Sequence, residues 1–204
     1  VFGSTTRTAA VTRVDPNFVG SVITYVNDGR TEYDALQVGL EKRYSKGHQF
    51  RVSYTYSKST GNTTGSGAPG SNFQLLNDLR LDLNEGPTDF DRPHNLVFSG
   101  SALVPRTGGL MFSTVIRYVS GTAFTVQDST LDSDRNGILF EPLPSGTYTG
   151  TGTNAVSVEN NGGRNGARGP SFFQADARLG YRIKLGARKV ELFGEVFNLT
   201  DRAN

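Results

Sequence analysis

Tyr33-Asp34-Ala35-Leu36-Gln37-Val38-Gly39-Leu40-Glu41-Lys42-Arg43-Tyr44 decides the architecture. Leu36, Val38 and Leu40 fall on one side of an extended chain, and Gln37, Gly39, Glu41 and Arg43 on the other. Alternation with period two argues for a strand and against a helix. The next stretch repeats it: within Gln49–Lys58, Phe50, Val52, Tyr54 and Tyr56 alternate with Arg51, Ser53, Thr55 and Ser57. Between the two lies Ser45-Lys46-Gly47-His48. Both strands keep their apolar residues at even positions, so pairing like faces calls for an odd-length loop. A three-residue loop with Gly47 in the left-handed region fits that need.

Four more strands are expected over His94–Val104, Leu110–Ser120, Phe172–Ile183 and Val190–Phe197. Gly186-Ala187 reads as a two-residue Gly-X turn joining the last two. That register sets Arg182 opposite Glu191 and Arg178 opposite Glu195, and opposite charges across an antiparallel pair stabilise it. Residues 1–32 are irregular, with at most one strand around Val19–Val26.

The connections alternate. Short turns follow the first, third and fifth strands, and long polar loops, 59–92 and 121–171, follow the second and fourth. Loops this long are uncommon in compact domains and are usually functional or disordered. A meander that crosses a membrane must place alternate connections on alternate sides. A tilted strand of about 9–11 residues spans a bilayer's hydrocarbon core. Short turns on one side and long loops on the other are the plan of an outer-membrane β-barrel. The polar faces also carry many charges: Glu41, Arg43 and Arg51, then Arg117, Asp176 and Arg178, then Arg182, Glu191 and Glu195. A wet lumen suits them. So does the solvent face of a soluble sheet, whose strands are usually shorter, at about 5–6 residues.

Composition narrows the classes. The chain has 204 residues with 21 basic and 19 acidic side chains, too balanced and dispersed for a nucleic-acid binder. It has no cysteine, which excludes disulfides, thiolate metal sites and cysteine nucleophiles. No run of about 18 apolar residues points to a membrane helix. The start, Val1-Phe2-Gly3-Ser4, carries no signal-peptide pattern, and the chain reads as a piece of something longer.

Five strings sharpen the reading. They are Tyr33–Tyr44, Val52–Ser59, Phe90-Asp91-Arg92-Pro93-His94-Asn95, Gly163–Pro170 and Glu195–Thr200. In this order they resemble the C-terminal barrel region of TonB-dependent outer-membrane receptors, the Oar-like group in particular, over about residues 30–204. The resemblance implies an all-β fold: an antiparallel up-and-down transmembrane barrel segment, about six to eight strands of a larger, 22-stranded barrel. It makes 1–204 one partial C-terminal β-barrel domain and 59–92 and 121–171 extracellular loops. It implies as partners the outer-membrane lipid, an unidentified extracellular ligand, and a plug domain and TonB coupling system that act through a part N-terminal to this chain. It implies no nucleic-acid partner and a bacterial outer-membrane location. The other reading is a secreted soluble β-sheet binding or adhesion module, ordered by calcium.

No catalytic constellation can be assembled, so the chain is not expected to be an enzyme and no cofactor is assigned. Asp132-Ser133-Asp134-Arg135-Asn136-Gly137 matches the first half of a calcium loop. Asp132, Asp134 and Asn136 are its candidate metal ligands within 128–141, with Ile138 offering a carbonyl and Asp128 or Glu141 completing the set. The twelfth position is Leu143 instead of glutamate, and no helices flank it, so an ordinary Asp/Asn/Gly turn accounts for the string as well. His94 reads as structural because its only fellow, His48, belongs to a turn at the other end. Asp91 and Arg92 are expected to tie the long loop to the barrel rim. Gly61–Gly70 and Gly162–Gly169 read as flexible loop, within which Arg164 and Arg168 suit either an anionic ligand or anchoring of the chain's return. Tyr44, Tyr54, Tyr56, Tyr118 and Tyr181 fall near strand ends, where interfacial aromatics belong.

Overall fold

The computed structural model describes residues 27–63, 80–130, 133 and 141–202. Thirteen strands occur there. They are β1 (Thr31–Ser45), β2 (His48–Gly61), β3 (Gly86–Pro87), β4 (His94–Leu103), β5 (Leu110–Val119), β6 (Ala123–Phe124) and β7 (Gln127–Asp128). Then follow β8 (Glu141–Pro142), β9 (Gly146–Thr149), β10 (Ser157–Asn160), β11 (Ala167–Arg168), β12 (Phe172–Leu185) and β13 (Arg188–Val196). One 3-10 turn, Leu81–Asn84, precedes β3. No described helix is long and apolar enough to cross a membrane, which says nothing of spanning by strands. The expected strand at Val19–Val26 lies outside the described residues.

The six long strands form one antiparallel meander, β1-β2-β4-β5-β12-β13, and the small β3 adds to the end of β2. One face can be followed across it from strand to strand. Leu40 pairs with Val52, Val52 with Phe98, Phe98 with Ile116, and Ile116 with Ala175. These residues share one face because side chains alternate along every strand. β4 and β5 are ten residues each. At about 3.3 Å per residue and a tilt of about 45°, ten residues rise about 23 Å, close to the apolar band of a membrane barrel.

The apolar face is uncovered. Leu36 and Leu192 are each 61% exposed, and Val38, Leu40, Leu179 and Val196 are also exposed. Among the described residues the only buried apolar side chains are Ala123 and Ala167, both beyond the long strands. A soluble sandwich would pack a second layer on this face. Lipid is the solvent that suits it as it stands.

The β1–β2 hairpin departs from expectation. Its turn has two residues, not three: Ser45 pairs with His48, and Lys46 and Gly47 both take positive φ, 51° and 83°. The missing odd residue is supplied by a bulge. Lys42 pairs with Phe50, so Arg43 and Tyr44 together oppose Gln49. A bulge restores like-face pairing as an odd loop would, and leaves the turn free to adopt the form that matches strand twist. The β12–β13 hairpin agrees with expectation. Its turn is Gly186-Ala187, with Gly186 at φ 62°, and Arg182 pairs with Glu191 and Arg178 with Glu195.

All three short turns meet at one end. Leu103 donates its N–H to the Gly47 carbonyl at 2.7 Å, and Arg182 donates to the Gly109 carbonyl at 3.3 Å. The long connections occupy the opposite end. The second is not a bare loop: β6, β11, β10 and β9 make a four-stranded sheet, and β7 and β8 a two-stranded one.

Candidate functional site: the charged inner face and the loop clasp

Two constructions carry polar chemistry. The first is the concave face of the meander. Residues from all six long strands line a single trough of about 830 Å³, among them Glu41, Arg51, Ser99, Ser113, Arg178 and Glu195. Curvature brings them together, and the alternation of each strand turns their polar members inward.

The ion pairs of this wall among the described residues are on β12 and β13. Arg178 Nη1 donates to Glu195 Oε1 at 2.9 Å and Nη2 to Glu191 Oε1 at 3.1 Å, while Arg182 Nε donates to Glu191 Oε2 at 3.1 Å. The Arg178 guanidinium also lies 3.9 Å from the centroid of Phe193. Phe193 carries no signal in the alternation, because it stands on the charged face. Register explains it: Gly180 is its cross-strand partner, and that gap leaves room for the ring beneath the arginine. The structure brings Arg43, Asp176 and Arg182 into the same trough, so the inner face contains most of the charges the sequence singles out. Arg117, paired across the sheet with Gln174, lies on the same face nearer the long loops.

The second construction is a clasp between the two long loops. Arg164 is 4% exposed and spends its guanidinium on three backbone carbonyls. Its Nη1 donates to Gly61 O at 3.2 Å and Asn84 O at 3.1 Å, and its Nη2 donates to Thr63 O. Burial lowers the Arg164 pKa, opposed by the nearby charges of Asp89 and Glu85. Arg168 pairs with the buried Asp91 through Nη2 and Oδ2, and its Nη1 donates to the Asp91 carbonyl at 2.9 Å. Asp91 Oδ1 accepts the Ser59 N–H at 2.7 Å. Asn165 Nδ2 donates to Pro87 O at 2.8 Å and to Asp89 Oδ1 at 2.7 Å.

Asp91 therefore ties its loop to the rim as expected, and Arg92 joins through its carbonyl, which accepts the Ser57 hydroxyl at 3.1 Å. Arg164 and Arg168 serve as anchors, their donors directed into the protein. The expectation of a flexible run at Gly162–Gly169 is corrected. Arg164, Asn165 and Ala167 are buried there, and the segment is the centre of the clasp. The glycines permit close backbone approach. A Cβ on Gly86 would stand 2.5 Å from the Arg164 carbonyl oxygen, and one on Gly121 would stand 1.9 Å from that of Gly169. The expected flexible run at Gly61–Gly70 lies mostly outside the described residues, but Gly61 itself is the last residue of β2. Asn84 and Thr88, fully buried, gave no sequence signal because single polar residues in a polar loop look alike.

Asp132, Asp134, Asn136 and Ile138 lie outside the described residues. The two residues offered to complete their set are cross-strand partners, Asp128 on β7 and Glu141 on β8. Asp128 Oδ1 accepts from both N and Oγ1 of Thr130, which lowers its pKa. Glu141 Oε1 accepts the Ser133 N–H at 3.0 Å. His94 faces aromatic neighbours: Tyr54 Oη lies 2.8 Å from its Nδ1, and the Tyr56 ring is 5.4 Å away. His48 is in the turn at the other end, its Nδ1 3.3 Å from the Lys46 carbonyl.

An open meander of membrane-length strands, apolar outside and charged inside, defines a membrane β-barrel wall. A family model described as "Outer membrane beta barrel domain" matches residues 2–204. The chain belongs to that family, and its place is the bacterial outer membrane. No curated protein matches the chain, and no solved structure does.

Proposed function

We propose that this chain forms part of the wall and the extracellular loops of a TonB-dependent receptor that binds and takes up an extracellular ligand. The observation that carries this reading is the charged inner trough. Six strands curve around it, and all of them contribute polar or charged residues to it. The large barrel this reading calls for has an open lumen unless something fills it. The charged inner face offers hydrogen-bonding partners to a folded plug. The loop clasp, which bonds described parts of the two long connections to each other, suits a ligand-capturing rim on the outer side, where barrels of this class carry their long loops. The reading assigns no catalytic group.

Planar-bilayer conductance of the intact protein tests it without knowledge of the ligand. A plugged receptor shows no steady current in native buffer and opens reversibly when urea loosens the plug. A permanently open channel would overturn the receptor reading in favour of a porin.

A further inference from the structure

We infer that the short-turn rim is a binding band for anionic phospholipid headgroups. The inference rests on the membrane-barrel fold but not on the receptor reading.

The chain is electrically polarised along its strands. In and beside the first short turn lie Lys42, Arg43 and Lys46; the second turn has Arg106; the third has Lys184, Arg188 and Lys189. These are seven of the 21 basic residues. None of the 19 acidic residues falls within 42–49, 103–110 or 183–190, so the rest of the chain holds 14 positive against 19 negative charges. The backbone bonds from Gly47 to Leu103 and from Gly109 to Arg182 set the three turns side by side. The charges thus gather at one end of the strands, with Arg43 on the trough side of that rim.

Among the described residues these cations lack acidic partners, although Lys42 Nζ donates to the carbonyl and hydroxyl of Ser45. Among the described residues the ion pairs fall on the inner wall or at the long-loop end, as with Arg178–Glu191, Arg168–Asp91 and Arg30–Glu85. None of the seven rim cations takes part in one. Lys184 and Lys189 stand directly opposite each other on the inner-face parity of Arg182 and Glu191, so on this hairpin the outward cation is Arg188.

Position selects the anion. Lys42 is on the outward parity of Leu40, and Arg188 pairs with the exposed, outward Leu185. Lys46 and Arg106 are at the turn tips and exposed. Exposed Leu103, Leu185 and Tyr44 sit at the same level. Cations on long aliphatic stems, bordering an apolar band, place their heads at the depth of lipid phosphates. An acidic protein would need no such border.

The test compares spin-labelled phosphatidylglycerol with spin-labelled phosphatidylcholine at the boundary of the intact protein, reconstituted in phosphatidylcholine vesicles. Phosphatidylglycerol should associate several-fold more strongly at low salt. The preference should fade at about 1 M salt, where screening acts over about 3 Å. The triple variant K46Q/R106Q/R188Q should bring the two lipids close to parity, and K58Q/R92Q at the long-loop end should leave the preference intact. Inorganic phosphate at millimolar concentration should not compete. Should the triple variant fail to insert, R106Q and K46Q separately must each reduce the preference. Equal association of both lipids in the natural sequence, or a preference unchanged by the rim substitutions, would overturn the inference. Failure of the natural protein to insert at all would instead contradict the membrane-barrel fold.

Discussion

Replacing Arg164 by methionine should release the loop clasp without unfolding the barrel wall. The side chain makes three charge-assisted bonds to carbonyls of the other long loop, at Gly61, Thr63 and Asn84. A hydrogen bond to a charged group contributes about 1.5–3 kcal/mol, and a buried acceptor left without a donor costs about 1–3 kcal/mol. Against this stands the desolvation of the guanidinium itself, which lowers the Arg164 pKa and is recovered on substitution. Water can also reach part of the vacated space. Setting these against one another leaves about 3 kcal/mol for docking one loop on the other, a factor of roughly a hundred in the opening equilibrium. Lysine should rescue little, because one ammonium cannot present a planar fork to carbonyls on separate segments. Hydrogen exchange followed by mass spectrometry on the intact protein in micelles reads the effect. Amides in 59–63, 80–92 and 157–168 should exchange roughly a hundredfold faster, with 94–103 and 110–119 unchanged. Unchanged protection over 80–92, or equal loss of protection in the barrel strands, would refute the reasoning.

Other outcomes follow from the same geometry. Val38→Arg and Leu179→Arg place a charge in lipid and should each cost about 2–4 kcal/mol of insertion near the midplane, whereas Gln37→Arg on the inner face should cost little; gel mobility after folding into vesicles separates them. Asp91→Asn should weaken the clasp by about 2 kcal/mol, and most of that effect should vanish in an Arg168→Met background, as a double-mutant cycle in hydrogen exchange would reveal. Gly121→Ala, whose Cβ would strike the Gly169 carbonyl, should impair folding, whereas Gly39→Ala, with nothing within 4 Å, should fold into vesicles at natural yield. The proposal that Asp132, Asp134 and Asn136 hold calcium predicts saturable titration heat with a dissociation constant of about 10⁻⁴–10⁻³ M, lost in Asp134→Ala; no heat in the natural sequence would leave an ordinary turn.

Legibility in the sequence follows physical scale. Strand alternation is local and repeated, so Leu36-Gln37-Val38 already states which side meets lipid. The β12–β13 register was legible because a turn and two charge pairs fix the same alignment independently. The β1–β2 turn was not, because parity alone cannot tell an odd loop from a two-residue turn with a bulge at Arg43 and Tyr44. The clasp was half legible. Asp91, Arg164 and Arg168 belong to distinctive strings, but the partners of Arg164 are backbone carbonyls, and carbonyls leave no trace in a sequence. Phe193 was hidden for a similar reason: its place among charges depends on the empty position at Gly180 across the strand pair.

The central claim is that the odd positions of β1 face a wet lumen and the even positions face lipid. The chain has no cysteine, so single cysteines introduced from Leu36 to Glu41 take a spin label at one site only. In the reconstituted intact protein, labels at 36, 38 and 40 should collide with oxygen dissolved in the bilayer, and labels at 37, 39 and 41 with a water-soluble nickel chelate. That strict alternation is the predicted result. Uniform access to the nickel chelate at all six positions would contradict it and return the chain to a soluble sheet.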